Sequence, residues 1–165
     1  MLLDLHEIIH VPGGVVPFDY EPDFSDLSFE TVTAIRPGAH AVGTVENHAG
    51  MLVLTAELDA VLDCVCARCL ADIEHPVHQH IEAVLEADSE SDDDPDIFPL
   101  DGDYINVDEV VTTAFVLNMD QRFLCSEDCK GLCSRCGKNL NEGPCDCKAE
   151  IDPRLAALVQ LLEKE

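Results

Sequence analysis

The sequence predicts an α+β fold, mainly an antiparallel β meander with one or two packed helices, closed by a cysteine-stapled tail. Three observations carry that expectation. Short segments rich in β-branched residues alternate apolar with polar positions and are separated by turn residues such as Pro37-Gly38 and Asn47 to Gly50. One later run has helical spacing behind a capping signal. Six of the nine cysteines then crowd between Cys125 and Cys147, where Leu132 and Leu140 are the only large aliphatic side chains.

Taken in chain order, Leu2 to Ile9 and Thr31 to Ile35 read as short strands, followed by alternating strands over Ala41 to Val45, Met51 to Asp63 and Ile73 to Leu85. Seven carboxylates and a proline fill Glu86 to Asp96, and their mutual repulsion predicts a mobile loop. Its register fails the calcium-loop pattern, which needs a glycine ahead of a distal glutamate. Asn106 followed by Glu109 is a capping box opening a helix over Val107 to Met119, with Val110, Val111, Ala114, Phe115 and Leu117 on a broad buried face. Asp152 as cap and Pro153 in the first turn predict a last helix whose stripe of Leu155, Leu158, Val159 and Leu162 packs on the sheet. The expected organisation is an acidic β-rich body, residues 1–121, and a Cys-rich segment with its helix, residues 122–165, in one compact unit.

Composition excludes several classes of function. The 165 residues hold 9 Lys and Arg against 34 Asp and Glu, a net charge of -25, which repels a phosphate backbone and argues against generic nucleic-acid binding. Residues 1–121 carry 26 of those acids against Arg36 and Arg68, whereas 122–154 are balanced at six and six. No apolar stretch reaches the roughly 18 residues of a membrane span, and Met1 to Gly14 has no Lys or Arg to open a secretion signal. The expected location is the reducing cytoplasm, where clustered cysteines point to metal rather than disulfides.

Between Cys125 and Cys147 the cysteines run C-x3-C-x3-C-x2-C-x8-C-x-C, and Cys66 and Cys69 form a further C-x2-C in CARC. Two thiolates two residues apart can turn inward from a tight knuckle and share one tetrahedral zinc, with Gly137 supplying a permissive backbone after Cys136. Eight cysteines make two complete four-thiolate sites, hence two zinc ions per chain. One pairing joins Cys66 and Cys69 with Cys125 and Cys129 and leaves Cys133, Cys136, Cys145 and Cys147 as the second site. Another uses Cys125, Cys129, Cys133 and Cys136 together and frees the CARC pair. Spacing does not separate them. With sulfur in every coordination position no water nucleophile is activated, so the sites read as structural. Cys64 reads as a small buried hydrophobe. His78 and His80 share a strand face, and His75 precedes Pro76 at an expected bend; all three read as solvated in preference to supplementary metal or RNA contacts. A redox role for C-x2-C lacks the helix that activates such a pair, and no phosphate loop, nucleophile elbow or H-E-x-x-H site is present.

The segments LDCVCARC (62–69), LCSEDCKGLCSRCGKNLNEGPCDC (124–147) and IDPRLAALVQLL (151–162) resemble the YceD family of bacterial proteins implicated in accumulation of large-subunit ribosomal RNA. The resemblance implies a role in ribosome assembly and a functional association with a small zinc-containing protein of the large subunit. It favours a non-catalytic assembly factor, with a basic large-subunit ribosomal protein or the ribosomal RNA precursor particle as partner, over an interaction adaptor unrelated to ribosomes. In that role the acidic body shields the basic protein, while Arg68, Arg122, Lys130, Arg135 and Lys138 either meet RNA or offset thiolate charge.

Overall fold

The computed structural model describes residues 1–86 and 97–147. The expected C-terminal helix from Asp152 and all but the first residue of the acidic run from Glu86 lie outside the described residues. The described strands are β1 (Leu2–Asp4), β2 (Val15–Tyr20), β3 (Val32–Ile35), β4 (His40–His48), β5 (Met51–Val65), β6 (Asp72–Glu86), β7 (Ile97–Pro99) and β8 (Tyr104–Asn106), followed by helix α1 (Val107–Leu117). The main sheet runs β2-β4-β5-β6-β7, with β3 paired to β5 beyond the end of β4; β1 and β8 form a separate two-stranded ribbon.

The meander is the β4–β5–β6 hairpin series. His48 pairs with Met51 across Ala49 and Gly50, both at positive φ (57° and 105°), the two-residue turn whose twist matches the strands it joins. Along β5, Leu52, Leu54, Ala56, Leu58, Ala60, Leu62 and Cys64 all face inward and are buried, the period of two that places alternate side chains on one face. Helix α1 lays Val107, Val110, Val111 and Phe115 onto this face. Phe115 stacks on Phe24 at 4.3 Å and meets Phe29 edge-on at 6.2 Å.

Several expectations need correction. The first strand stops at Asp4, because Leu5 O takes hydrogen bonds from the N–H groups of Ile8 and Ile9 and turns the chain so that Leu5 and Ile8 enter the core. Strand β2 is not among the strands expected from the sequence, and its Pro17 is accommodated because β2 is an edge strand. No bend occurs at Pro76: β6 passes straight through it. The sheet is not wholly antiparallel, since β7 pairs parallel to β6; a parallel neighbour requires a long return, and residues 87–96 intervene. Asn106 precedes the helix but its side chain caps nothing. It is the last residue of β8, and Val107 N–H donates instead to Met1 O across the ribbon at 3.0 Å.

Asn47 is the one buried polar side chain of the described core, 2% exposed. Its Nδ2 donates to Ile8 O (2.7 Å) and Ile9 O (2.9 Å), and its Oδ1 accepts from Gly50 N–H (2.7 Å), tying the amino-terminal turn to the β4–β5 hairpin. Asn47→Ala leaves those groups without partners and is expected to cost about 2 kcal/mol in denaturant unfolding; a loss within about 0.5 kcal/mol would show that water replaces the amide.

On the outer face, His78 Nδ1 lies 2.8 Å from Asp59, which with Glu57 holds the imidazolium above its ordinary range. A raised folded-state pKa stabilises fully below the unfolded value, about 6.5, and is lost as pH rises through the folded one. His78→Ala is therefore expected to lower the unfolding midpoint at about pH 6 and leave it unchanged near pH 9. Equal loss at both would assign the effect to packing.

Candidate metal centres

The β5–β6 hairpin ends in a knuckle. Val65 closes β5, Cys66 and Cys69 follow, and β6 begins at Asp72. Cys66 N–H donates to Ala71 O (2.8 Å) and Leu70 N–H to Cys66 O (2.9 Å). The same two bonds recur further on, from Cys133 N–H to Lys138 O (2.8 Å) and from Gly137 N–H to Cys133 O (2.9 Å). CARC-Leu-Ala and CSRC-Gly-Lys are thus one knuckle used twice, each with its fifth residue at positive φ, 59° at Leu70 and 72° at Gly137. Glycine takes that conformation freely, whereas leucine is strained in it.

Two groups of four sulfurs result. Cys66, Cys69, Cys125 and Cys129 form one; Cys133, Cys136, Cys145 and Cys147 form the other, with all Sγ atoms in each group within 4.8 Å of one another. This is the first of the two groupings that spacing left open. In the first group Cys66 and Cys129 sulfurs are 3.8 Å apart, and those of Cys69 and Cys125 3.6 Å. A tetrahedron with metal–sulfur arms of about 2.3 Å has edges of about 3.8 Å, whereas a disulfide needs about 2.05 Å. The sulfurs are therefore spaced to surround an ion.

The local electrostatics agree. Backbone N–H groups of Cys125, Cys69 and Arg68 converge on the Cys66 sulfur and draw its thiol down to about 6. Those of Cys136 and Arg135 do the same for Cys133, also to about 6. Cys125 is pushed up to about 12 by hydrogen bonds with Cys129 and Cys69, and Cys147 to about 12 by its bond with Cys136. Four sulfurs this close cannot all shed their protons beside one another; a divalent cation at the centre removes that conflict.

The chain folds back to deliver Cys125 and Cys129 to the hairpin tip. Arg68 Nη1 donates to Glu127 O (3.1 Å) and Cys129 O (3.0 Å), and Arg68 O accepts from Leu132 N–H (3.1 Å). Gly131 sits against it at φ +72°, where a Cβ would lie 2.9 Å from Arg68 O. Asn141, in the loop of the second group, donates Nδ2 to Cys129 Sγ of the first at 3.3 Å, lowers that thiol, and accepts Lys130 N–H at 2.8 Å. The two groups are coupled through this amide.

Reading the sequence missed both Arg68 and Asn141 as organisers. The repeated C-x-R-C was a visible signal for Arg68, whereas nothing local marks Asn141. Arg68 and Lys138, considered as RNA contacts, spend donors on the module's own carbonyls, Lys138 Nζ reaching Pro144 O at 2.8 Å. His78 and His80 pair with Asp59 and Glu57 on the exposed sheet face, and His75 packs its ring 4.9 Å from Phe123, so none joins a sulfur group. Cys64 is buried in the sheet core. Burial separates the two groups: Cys66, Cys69 and Cys129 are buried, whereas Cys136 and Cys147 are exposed. Among the described residues, no helix is long and apolar enough to cross a membrane.

A family model described as "Large ribosomal RNA subunit accumulation protein YceD" matches residues 54–162. Among curated proteins, uncharacterised proteins of Mycobacterium tuberculosis and Mycobacterium bovis are 27% identical over 176 aligned residues, covering 99% of this chain and 76% of theirs. No solved structure matches.

Proposed function

The chain belongs to the YceD family of large ribosomal RNA subunit accumulation proteins, and from that premise we propose that it is a non-catalytic, zinc-binding assembly factor of the cytoplasm that supports accumulation of large-subunit ribosomal RNA. Cys66, Cys69, Cys125 and Cys129 hold one zinc ion, and Cys133, Cys136, Cys145 and Cys147 the second. The observation that carries the reading is the gathering of both sulfur groups beside most of the described cations, in a chain whose remainder is acidic.

Arg36 is bound to Asp63 and Glu74 on the sheet. Each of the other five described Lys and Arg residues, Arg68, Arg122, Lys130, Arg135 and Lys138, belongs to or borders the cysteine module. The charge split gives two faces: an acidic body suited to a basic large-subunit ribosomal protein, and a module whose clustered cations partly offset the net negative charge of its four-thiolate zinc sites and which approaches the precursor particle. Both contacts weaken with salt. Thiolates fill every position of each ion, which supports a structural metal over a hydrolytic one.

Depleting the protein is expected to lower large-subunit ribosomal RNA relative to small-subunit RNA, and a Cys66→Ser copy is expected not to restore it. Unchanged RNA levels would refute the function. Affinity capture repeated after nuclease treatment identifies the direct contact: a basic ribosomal protein that stays attached marks a protein chaperone, whereas its loss marks an RNA-borne association. Native thiols that react at once with alkylating reagent, without chelator, would favour a redox couple instead.

A further inference from the structure

Strand β6 has two hydrogen-bonding edges and uses one of them fully. It pairs with β5 along its whole length, from Asp72 opposite Val65 to Leu85 opposite Leu52. On its other side β7 covers only Val84 to Glu86. Among the described residues nothing pairs with that second edge between Asp72 and Ala83. Burial records the opening: Ile73, His75, Val77 and Gln79 are half-buried on the inner face, whereas Ile81, Ala83 and Leu85, approaching and beside β7, are buried.

The direction of each backbone group follows from the ladder. Arg36 N–H donates to Val61 O at 2.8 Å, so the backbone of Val61 faces β3 and its partner Pro76 faces away from β5. Proline's missing N–H therefore falls on the open edge, where its loss is tolerated. Leu100 N–H donates to Glu86 O at 3.0 Å on the same side. The even-numbered residues thus aim outward: Glu74, His78, His80 and Glu82 each present an N–H and a C=O, and Pro76 a C=O.

Side chains of these residues share the outer face with Glu57, Asp59 and Asp63 of β5. Five carboxylates there face one described guanidinium, Arg36, which is 2.8 Å from Asp63 and 2.7 Å from Glu74. His78 and His80 are turned onto Asp59 and Glu57, and Glu82 has no cationic partner among the described residues. An RNA strand is repelled by this face. A second copy of the chain is disfavoured too, because antiparallel self-pairing about His78 sets Glu74 opposite Glu82.

We propose that the open edge of β6 takes up an extended basic segment of a partner protein as an added strand, its main chain bonded to Glu74, His78, His80 and Glu82 and its alternate Lys or Arg side chains laid over the acidic outer face. This deepens the proposed function by placing the ribosomal protein on one edge of the body, and rests on that reading only for the class of partner.

The test uses the full chain and a synthetic ten-residue peptide alternating lysine with threonine. Binding is expected to weaken with salt and to slow amide exchange at Glu74, His78, His80 and Glu82, whose N–H groups have no backbone partner among the described residues. His78→Pro removes one outward donor without touching the β5 ladder and is expected to weaken binding at least about tenfold, whereas His78→Ala keeps the donor and stays within about threefold. If the proline variant fails to fold, Glu82→Lys serves instead, with an expected loss of about fivefold. Absence of binding, protection elsewhere in the chain, equal affinity of the variants, or edge protection arising from self-association without peptide would each overturn the proposal. Failure of the peptide overturns the edge alone; unchanged ribosomal RNA after depletion overturns the function alone.

Discussion

Dialysis against a strong chelator is expected to release about two zinc ions per chain and to unfold the Cys125 to Cys147 segment while the sheet keeps its structure. A structural zinc contributes roughly 10 to 16 kcal/mol at neutral pH in small peptides, against about 5 to 15 kcal/mol for a whole domain. Nothing else in the segment approaches that scale. Its apolar packing is a small satellite of Cys66, Cys69 and Cys129 with Ala71, Leu124 and Leu132. The main core draws only Cys64 from the nine cysteines, so it survives the loss of metal. Release is expected in two stages, because Cys136 and Cys147 are exposed whereas three of the four sulfurs of the other group are buried. Metal analysis with amide exchange during chelation checks both points: a protected module without metal, or freshly purified protein that is oxidised and metal-free, would refute the assignment. Cys133→Ser should remove one equivalent and spare the hairpin site, whereas Cys66→Ser should release the 125–132 segment from the sheet as well.

How much of this was legible beforehand depends on how local the signal was. The three long strands and the helix announce themselves by period, since burial on one face forces alternation in β5 and a 3.6-residue repeat in α1. The cysteine groups were readable as two sites because each C-x2-C is a local turn, yet Cys66 and Cys69 meet Cys129 and Cys125, which lie 63 and 56 residues further along the chain, and only the fold brings those together. Strand β2 was not among the expected strands, and the acceptability of its Pro17 depends on which strand lies at the sheet edge, a property of the topology. The same applies to Pro76, which suggested a bend and instead marks the unpaired side of β6. Asn106 has the composition of a capping box, but the ribbon partner Met1 supplies the acceptor for the first helical N–H. Asn141 carried no local mark at all, because its role is a contact between two loops each organised by other residues.

Phe115→Ala is expected to cost about 3 to 5 kcal/mol, a large part of the roughly 5 to 15 kcal/mol that keeps an ordinary domain folded. Phe115 is fully buried, and its ring is the point where three parts of the chain meet: the helix that carries it, the segment holding Phe24 in parallel stacking 4.3 Å away, and Phe29 edge-on at 6.2 Å. Stacked and edge-on pairs each add about 0.5 to 1.5 kcal/mol beyond the burial of area. Residues 21–31 contain little regular structure and depend on such contacts for their position. Truncation thus removes the apolar area of one ring and leaves two others facing a cavity that a helix on a sheet cannot easily close. Phe115→Leu fills most of that space and should cost less than half as much. Denaturant unfolding followed by far-ultraviolet circular dichroism measures both. A loss under about 1 kcal/mol for the alanine variant would mean that α1 is held to the sheet by Val107, Val110 and Val111 without the aromatic cluster.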